Sequence, residues 1–212
     1  MTEPAVLVIA KEPLPGHAKT RLCPPCTSHE AAALATAALE DTLAIVASSP
    51  ARRRILVFEG NPDGWLPPGF ELLTQRGTGL AERLGAAFED AGGPALLIGM
   101  DTPQLSTDLL AAGLGALTDP DTDAVLGPAL DGGYWCIGLK RPSRAVFDGV
   151  PMSEATTCAA QRARIRELGM HLREQPALRD VDTFDDALIV ARQAPASRFA
   201  ATLATFATPI AA

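Results

Sequence analysis

The chain has 212 residues and a hydrophobic content of 47%, which suits one globular domain, or one domain with a small appendage. Its formal net charge of −7 argues against binding to nucleic acid or to an anionic membrane. No apolar segment has transmembrane length and no signal peptide is recognisable, so we expect a soluble cytoplasmic protein with no membrane partner.

The first part of the chain alternates predicted strands and helices. Residues 5–10 form a buried apolar strand, and proline and glycine interrupt the loop that follows at residues 11–21. A Thr-x-x-Glu capping box that begins at Thr27 predicts a helix to about residue 48. Further elements are predicted as strands at residues 54–58 and 70–73 and as a helix at residues 81–91.

A single aspartate follows the most continuous apolar strand. Residues 95–98 are apolar without alternation, as expected of a strand that is covered on both faces. Asp101 lies just beyond this strand, and Ser106 is the predicted N-cap of the next helix. Ligands bind beyond the carboxyl ends of strands in open parallel sheets, so Asp101 is placed to hold a metal or a substrate hydroxyl. The alternative is a turn aspartate that accepts hydrogen bonds from nearby backbone N–H groups.

The second part continues the alternation of strands and helices. The turn Asp131-Gly132-Gly133 joins two predicted strands, and Ser153 is the predicted N-cap of a helix that ends before Gly169. The predicted elements are strands at 124–127, 134–139 and 170–173, and helices at 143–147, 153–168 and 184–193. This pattern predicts an α/β fold of three layers, with a mainly parallel sheet and helices on both faces. The apolar tail predicts a last helix that packs on the body or on a second copy, as in a homodimer.

A basic loop and a glycine turn are candidate sites for an anion. Lys11, Lys19 and Arg21 follow the first strand, where cations and backbone N–H groups can converge on phosphate. The loop matches neither the Walker A pattern nor Gly-x-Gly-x-x-Gly, and the alternative is a solvated loop with scattered charges. In the turn at residues 76–80, the glycines allow the backbone to approach a ligand closely, although such turns also serve simple chain reversal.

Four aspartates form a candidate metal-binding set. They lie on separate predicted loops, and they are Asp101, Asp131, Asp180 and Asp182. Carboxylate oxygens suit Mg²⁺, which takes one or two carboxylates together with substrate phosphates. Each aspartate could instead start a turn or cap a helix, and Asp182 could cap the helix predicted from residue 184.

The motif Cys23-Pro24-Pro25-Cys26 has the spacing of a redox dithiol or of half a zinc site. No second Cys-x-x-Cys occurs in the sequence, and the other two cysteines and the three histidines have no spacing that requires a metal. Four cysteines do not indicate a disulfide framework. The histidines also lack a catalytic-triad signature.

Five short motifs occur in a fixed order along the chain, at residues 9–22, 76–84, 99–103, 127–134 and 180–183. Together they resemble a bacterial family of arsenosugar-biosynthesis glycosyltransferase-like proteins. That family is similar to molybdenum-cofactor guanylyltransferases and to phospholactate or phosphoenolpyruvate guanylyltransferases, which share the nucleotide-diphospho-sugar transferase (GT-A) fold. The resemblance implies one GT-A domain over residues 1–193, followed by a helical tail at residues 194–212. The sequence departs from the family pattern at residues 151–153 and at the two early cysteines.

The resemblance also implies roles for single residues. Lys11, Lys19 and Arg21 would face nucleotide phosphates, and Asp101 would hold a divalent metal with Asp182 as a second ligand. We expect Mg²⁺, or Mn²⁺ in its place. The turn Asp131-Gly132-Gly133 would lie by the acceptor pocket. The other expected substrate contacts are Arg76, Gly77 and Gly79.

The preferred function is a Mg²⁺-dependent nucleotidyltransferase that joins a nucleoside monophosphate to a small phosphorylated or carboxylated acceptor and releases pyrophosphate. Lys19 and Asp101 would be catalytic, because such catalysis depends mainly on positioning and electrostatics. The alternative is a glycosyltransferase that uses a nucleotide sugar, with Asp131 as the base that deprotonates an acceptor hydroxyl. Two interpretations from other classes are a nucleotide-binding protein without turnover and a redox protein that uses Cys23 and Cys26.

Overall fold

A seven-stranded sheet forms the centre of the protein in the computed structural model, which describes residues 3–62 and 66–206. The strands are β1 (Ala5–Lys11), β2 (Arg54–Glu59), β3 (Phe70–Thr74), β4 (Ala95–Ile98), β5 (Ala124–Pro128), β6 (Tyr134–Leu139) and β7 (Leu172–Glu174). The helices are α1 (Ser28–Ala47), α2 (Leu80–Ala91), α3 (Thr107–Thr118), α4 (Thr157–Glu167), α5 (Phe184–Gln193) and α6 (Arg198–Phe206). Two short 3₁₀ helices cover Thr20–Leu22 and Arg144–Val146.

The strand order is β3-β2-β1-β4-β6-β5-β7, and β6 alone runs antiparallel to its neighbours β4 and β5. The remaining neighbours pair in parallel. The tight turn at residues 131–133 explains the reversal, because it joins β5 to β6 as a hairpin. The prediction of a mainly parallel α/β sheet is confirmed.

Helices cover both faces of the sheet, because successive side chains of a buried strand point to opposite sides. In β1, Val6 and Val8 pack in one cluster with α1 and α3, whereas Leu7 packs in the other cluster with α2 and α4. Every residue of β4 is buried, as its unbroken apolar run predicts. The structure thus has three layers. Because β1 and β4 pair in parallel, their carboxyl ends lie together at one edge of the sheet.

Most predicted helix ends are confirmed, and one is wrong. The capping box at Thr27, the N-cap at Ser106 and the left-handed Gly169 after α4 are all present. The prediction of an N-cap at Ser153 is wrong, since α4 begins at Thr157 and Ser153 has a left-handed φ of 62°. Residues 153–156 instead pack against the β5–β6 turn, where the Cys158 N–H donates to the Gly132 carbonyl over 2.8 Å.

The N-terminus of α5 is capped by Thr183, which forms a capping box with Asp186. Asp182 therefore does not cap this helix, although the sequence allowed that role. Its carboxylate is left to face the carboxyl edge of the sheet.

The C-terminal helix α6 packs on α1 and α5, and a buried carboxylate of α1 holds its first turn. Asp41 accepts hydrogen bonds from the backbone N–H groups of Arg198, at 3.0 Å, and Phe199, at 2.9 Å. These two groups have no partner within the helix, because the first turn of any helix leaves its N–H groups unpaired. Among the described residues, no helix is both long and apolar enough to cross a membrane.

We expect Asp41→Ala to lower the free energy of unfolding by about 2 kcal/mol, because it leaves two N–H groups without an acceptor. Urea unfolding followed by circular dichroism would measure this change. Glu40→Ala is the matched control, since its side chain is 55% exposed. We expect that control to change stability by less than about 0.5 kcal/mol. Equal effects of the two substitutions would contradict the capping role of Asp41.

Candidate functional site

A cleft of about 780 Å³ opens at the carboxyl ends of β1 and β4. One wall comes from the loop after β1 and from the start of α2. The other wall comes from the β5–β6 turn and from residues 152–157, and Asp101, Asp180 and Asp182 line the cleft between the two walls. This is the edge at which open α/β sheets bind ligands.

Lys19 joins the acidic residues of the cleft. Its ammonium Nζ lies 2.8 Å from Asp101 Oδ1 and 3.7 Å from Asp182 Oδ1, and its side chain is only 10% exposed. Its backbone is left-handed, with φ 49° and ψ 40°, at the residue before the 3₁₀ helix Thr20–Leu22. A non-glycine residue in this region is strained, and such strain clusters at functional sites. Arg21 reaches the same carboxylate from solvent, with its Nη1 2.9 Å from Asp182 Oδ2.

Backbone contacts explain why carboxylates far apart in the sequence lie together. The Val181 N–H donates to the Asp101 carbonyl over 3.0 Å, and this bond holds the backbone of residues 180–182 next to Asp101. A second tie is close by, because Gln104 Nε2 donates to the Arg179 carbonyl over 2.6 Å. Asp101 and Asp182 therefore face one cleft on a fixed frame.

Burial and charge change the ionisation of this cluster. Burial lowers the pKa of Lys19, but the negative charge of Asp101 and its hydrogen bond with Lys19, with further help from Asp182 and Asp180, outweigh burial and raise that pKa. Burial, together with the nearby charges of Asp101 and Asp131, raises the pKa of Asp180 to about 7. One oxygen of Asp180, Oδ1, is buried without a hydrogen-bond partner in the structure.

The donor set fits a hard divalent cation. The acidic side chains of Asp101 and Asp182 offer carboxylate oxygens, which Mg²⁺ and Mn²⁺ accept. Within the described residues, no three His, Cys, Asp or Glu side chains already surround a common point. The ammonium of Lys19 contacts two of the carboxylates of the cleft, at 2.8 Å from Asp101 Oδ1 and 3.7 Å from Asp182 Oδ1. Asp101 and Asp182 are thus the residues that could hold a metal.

The glycine turn before α2 contributes less to the cleft than the sequence suggests. Arg76 lies outside the cleft lining and forms two hydrogen bonds with Asp90, at 3.0 and 2.5 Å. A carboxylate of α2 thus holds its guanidinium, and the substrate contact of Arg76 stays a prediction. Gly77 and Gly79 also lie outside the lining, whereas Thr78 and Leu80 between and after them belong to it. The φ of 121° at Gly77 gives that glycine a role in the turn itself.

A polar cluster at the ends of β1 and β2 was not singled out from the sequence. Gln75 donates from Nε2 to the carbonyls of Ala10, at 2.7 Å, and Val57, at 3.2 Å, and so contacts both strands near their carboxyl ends. Arg83 contacts Glu59 and Gln75, and all three line the cleft. The available signal was the position of Arg83 within the motif at residues 76–84. Its pairing with Glu59 depends on tertiary structure.

The β5–β6 turn forms the opposite wall. Asp131 lines the cleft, and its Oδ1 accepts from the Gly133 N–H over 2.8 Å. Gly133 lines the cleft, whereas Gly132 lies behind it against Ala155. Among the described lining residues, Asp131 and Glu154 are the charged groups of this wall. The cations of the cleft belong to the other elements and are Lys11, Lys19, Arg21 and Arg83, with Lys11 donating to the His17 carbonyl.

The cysteine pair lies outside the cleft lining. Cys23 and Cys26 are free thiols that pack with α5 and α6, and burial together with the charge of Glu30 raises the pKa of Cys26. A raised pKa keeps the thiol protonated, whereas a reactive cysteine needs a thiolate.

We therefore expect the double substitution of both cysteines by serine to leave turnover within about twofold. Loss of turnover in a folded double variant, checked by circular dichroism, would favour the redox alternative.

Comparison with known proteins identifies the family. The profile of the family described as "Uncharacterized protein conserved in bacteria (DUF2064)" matches residues 31–154. The chain belongs to this family. A search of curated proteins gives no significant match for this DUF2064 chain.

Solved structures extend the comparison. A protein of Desulfovibrio desulfuricans G20, provisionally assigned as a nucleotide-diphospho-sugar transferase, is 30% identical with a TM-score of 0.86, over 97% of the DUF2064 chain and 95% of its own. A CMP:2-keto-3-deoxy-manno-octonic acid synthetase complexed with CTP is 12% identical with a TM-score of 0.58, over 92% and 98%. Rv0371c of Mycobacterium tuberculosis H37Rv in complex with manganese is 19% identical with a TM-score of 0.53, over 90% and 98%. The DUF2064 chain therefore has the nucleotide-diphospho-sugar transferase (GT-A-like) fold.

Proposed function

We propose that this chain is a divalent-metal-dependent transferase that uses a nucleotide substrate, with nucleotidyl transfer and release of pyrophosphate as the first candidate reaction. The observation that supports the proposal is the convergence of Asp101, Asp182 and Lys19 at the carboxyl edge of the sheet. The likeness to a CTP complex and to a manganese complex is in keeping with it. The narrower relation to arsenosugar biosynthesis stays a prediction.

The residues of the cleft divide the chemical work. Lys11, Lys19 and Arg21 would bind the phosphate chain and stabilise the negative charge that grows on the leaving group. A divalent ion held by Asp101 and Asp182 would supply Lewis-acid stabilisation of that charge. Asp131 lines the opposite wall of the cleft, and its carboxylate would take a proton from an attacking acceptor hydroxyl.

Glycosyl transfer from a nucleotide sugar is the second candidate, and the charge of the wall formed by the β5–β6 turn and residues 152–157 favours it. Asp131 and Glu154 are acidic, and the described residues of that wall include no lysine or arginine. A phosphorylated or carboxylated acceptor would be repelled there, whereas a neutral sugar or alcohol would not. The provisional assignment of the Desulfovibrio protein agrees with this second reaction.

A ligand panel would separate the candidates. The purified protein is mixed with Mg²⁺ or Mn²⁺ and with single nucleoside triphosphates or nucleotide sugars, and thermal shift measures binding. Each mixture is then tested with phosphorylated, carboxylated and neutral hydroxyl acceptors. Pyrophosphate release indicates nucleotidyl transfer, and nucleoside diphosphate release indicates glycosyl transfer. Binding without either product would favour a non-catalytic nucleotide-binding protein, and absence of any binding would contradict the proposal.

A further inference from the structure

The ammonium of Lys19 lies between the two carboxylates that the proposed function assigns to the metal. It is 2.8 Å from Asp101 Oδ1 and 3.7 Å from Asp182 Oδ1. Both carboxylates are partly open to solvent, at 42% and 35% exposed, whereas Lys19 is 10% exposed. A cation that enters from solvent can therefore reach the carboxylates, but it meets a positive charge already held against them.

The local structure keeps this charge in place. Lys19 has a left-handed backbone at the start of the 3₁₀ helix, where the Leu22 N–H donates to the Lys19 carbonyl over 2.9 Å. Two carboxylates hold the other end of the side chain, because its Nζ lies 2.8 Å from Asp101 Oδ1 and 3.7 Å from Asp182 Oδ1. Lys19 thus neutralises a group of like charges that would otherwise repel one another.

We propose that Lys19 is a built-in counter-ion that competes with the metal for Asp101 and Asp182. The inference rests on the proposed function, because it concerns the same two carboxylates. While Lys19 is held by them, it weakens the binding of a divalent ion to the protein alone. An anionic phosphate chain offers the ammonium a different partner, so nucleotide and metal would each favour the binding of the other. Without nucleotide, Lys19 would therefore lower the affinity of Asp101 and Asp182 for the metal.

The test measures the affinity for Mn²⁺ alone, without nucleotide, by electron paramagnetic resonance of the free ion. The variants are Lys19→Met, which removes the charge and keeps the length, and Arg21→Met as the matched control. Arg21 contacts the same Asp182 carboxylate, but its side chain is 74% exposed and its charge is screened by solvent. We expect Lys19→Met to bind Mn²⁺ at least about tenfold more tightly than the unaltered chain, and Arg21→Met to differ from it by less than about threefold.

A second measurement covers the case in which Lys19→Met is unstable. Without metal, its acidic cluster lacks the counter-ion, so we expect a lower melting temperature that saturating Mn²⁺ raises by more than it raises that of the unaltered chain. Lys19→Gln is measured in the same way, and we expect the same direction.

Equal or weaker Mn²⁺ binding by both Lys19 variants would overturn the inference. The proposed function would survive that result if the unaltered chain binds Mn²⁺ and Asp101→Asn does not. If no form of the protein binds Mn²⁺, both the inference and the metal-dependent function are wrong.

Discussion

Asp101→Asn is expected to lower metal-dependent turnover by about a thousandfold or more, since the proposed function makes Asp101 a metal ligand and such a metal supplies several kcal/mol of charge stabilisation. The substitution removes the negative charge and keeps the shape. It also keeps the backbone frame, because the Asp101 carbonyl still accepts from the Val181 N–H. The measurement is initial rate against Mg²⁺ and Mn²⁺ concentration, with the substrate that the ligand panel identifies.

The control for this prediction is Asp185→Asn, an exposed aspartate in the first turn of α5. It removes the same charge from the same side of the molecule without touching the cleft lining. We expect its turnover to stay within about twofold of the unaltered chain. The thermal unfolding of Asp101→Asn should remain cooperative, because its side chain is 42% exposed. Full Mg²⁺-dependent turnover in Asp101→Asn would remove the metal assignment.

Gly132→Ala is expected to lower the free energy of unfolding by about 3 kcal/mol or more, through backbone strain and overlap together. Gly132 has a φ of 95°, and a Cβ atom there would lie 2.0 Å from the carbonyl oxygen of Ala155. The obstacle is backbone, so a small rotation of a side chain cannot remove it. The β5–β6 turn would have to move away from residues 153–157, and Asp131 would move with it.

Urea unfolding would measure this effect, with Gly93→Ala as the control. A Cβ atom added at Gly93 would meet no atom within 4 Å, and the φ of Gly93 is not positive, so we expect that change to stay within about 0.5 kcal/mol. In the folded fraction of Gly132→Ala, binding of nucleotide to the wall with Lys19 should persist while turnover falls. A stability equal to that of the unaltered chain would show that the turn can relax at little cost.

The sheet and most helices could be predicted from the sequence because their signals are local. The apolar runs of β1 and β4 and the capping residues Thr27 and Ser106 act over a few residues, and the structure has them where the sequence predicts. Ser153 failed as an N-cap because a tertiary contact decides its conformation. The packing of residues 153–156 on the β5–β6 turn overrides a good capping residue, and no local pattern reports it.

The acidic and basic residues that line the candidate site could be predicted from the sequence. Which acidic side chain contacts which basic side chain could not. Lys19 and Asp101 each follow a strand, which places both at one edge of the sheet. That Lys19 binds the carboxylates, and that Arg76 is held by Asp90, depends on which side chains face each other across the fold. The role of each residue in catalysis stays a prediction.

The central position of β1 has a practical consequence for work with fragments. The profile match covers residues 31–154, but β1 lies outside that range and pairs with both β2 and β4. A fragment limited to the matched range would expose two apolar strand edges at its centre, and unpaired edges of this kind promote aggregation. It would also lack Lys19 and Asp182. Expression of the matched range by itself is therefore a poor substitute for the 212-residue chain, and an inactive fragment would not test the proposed function.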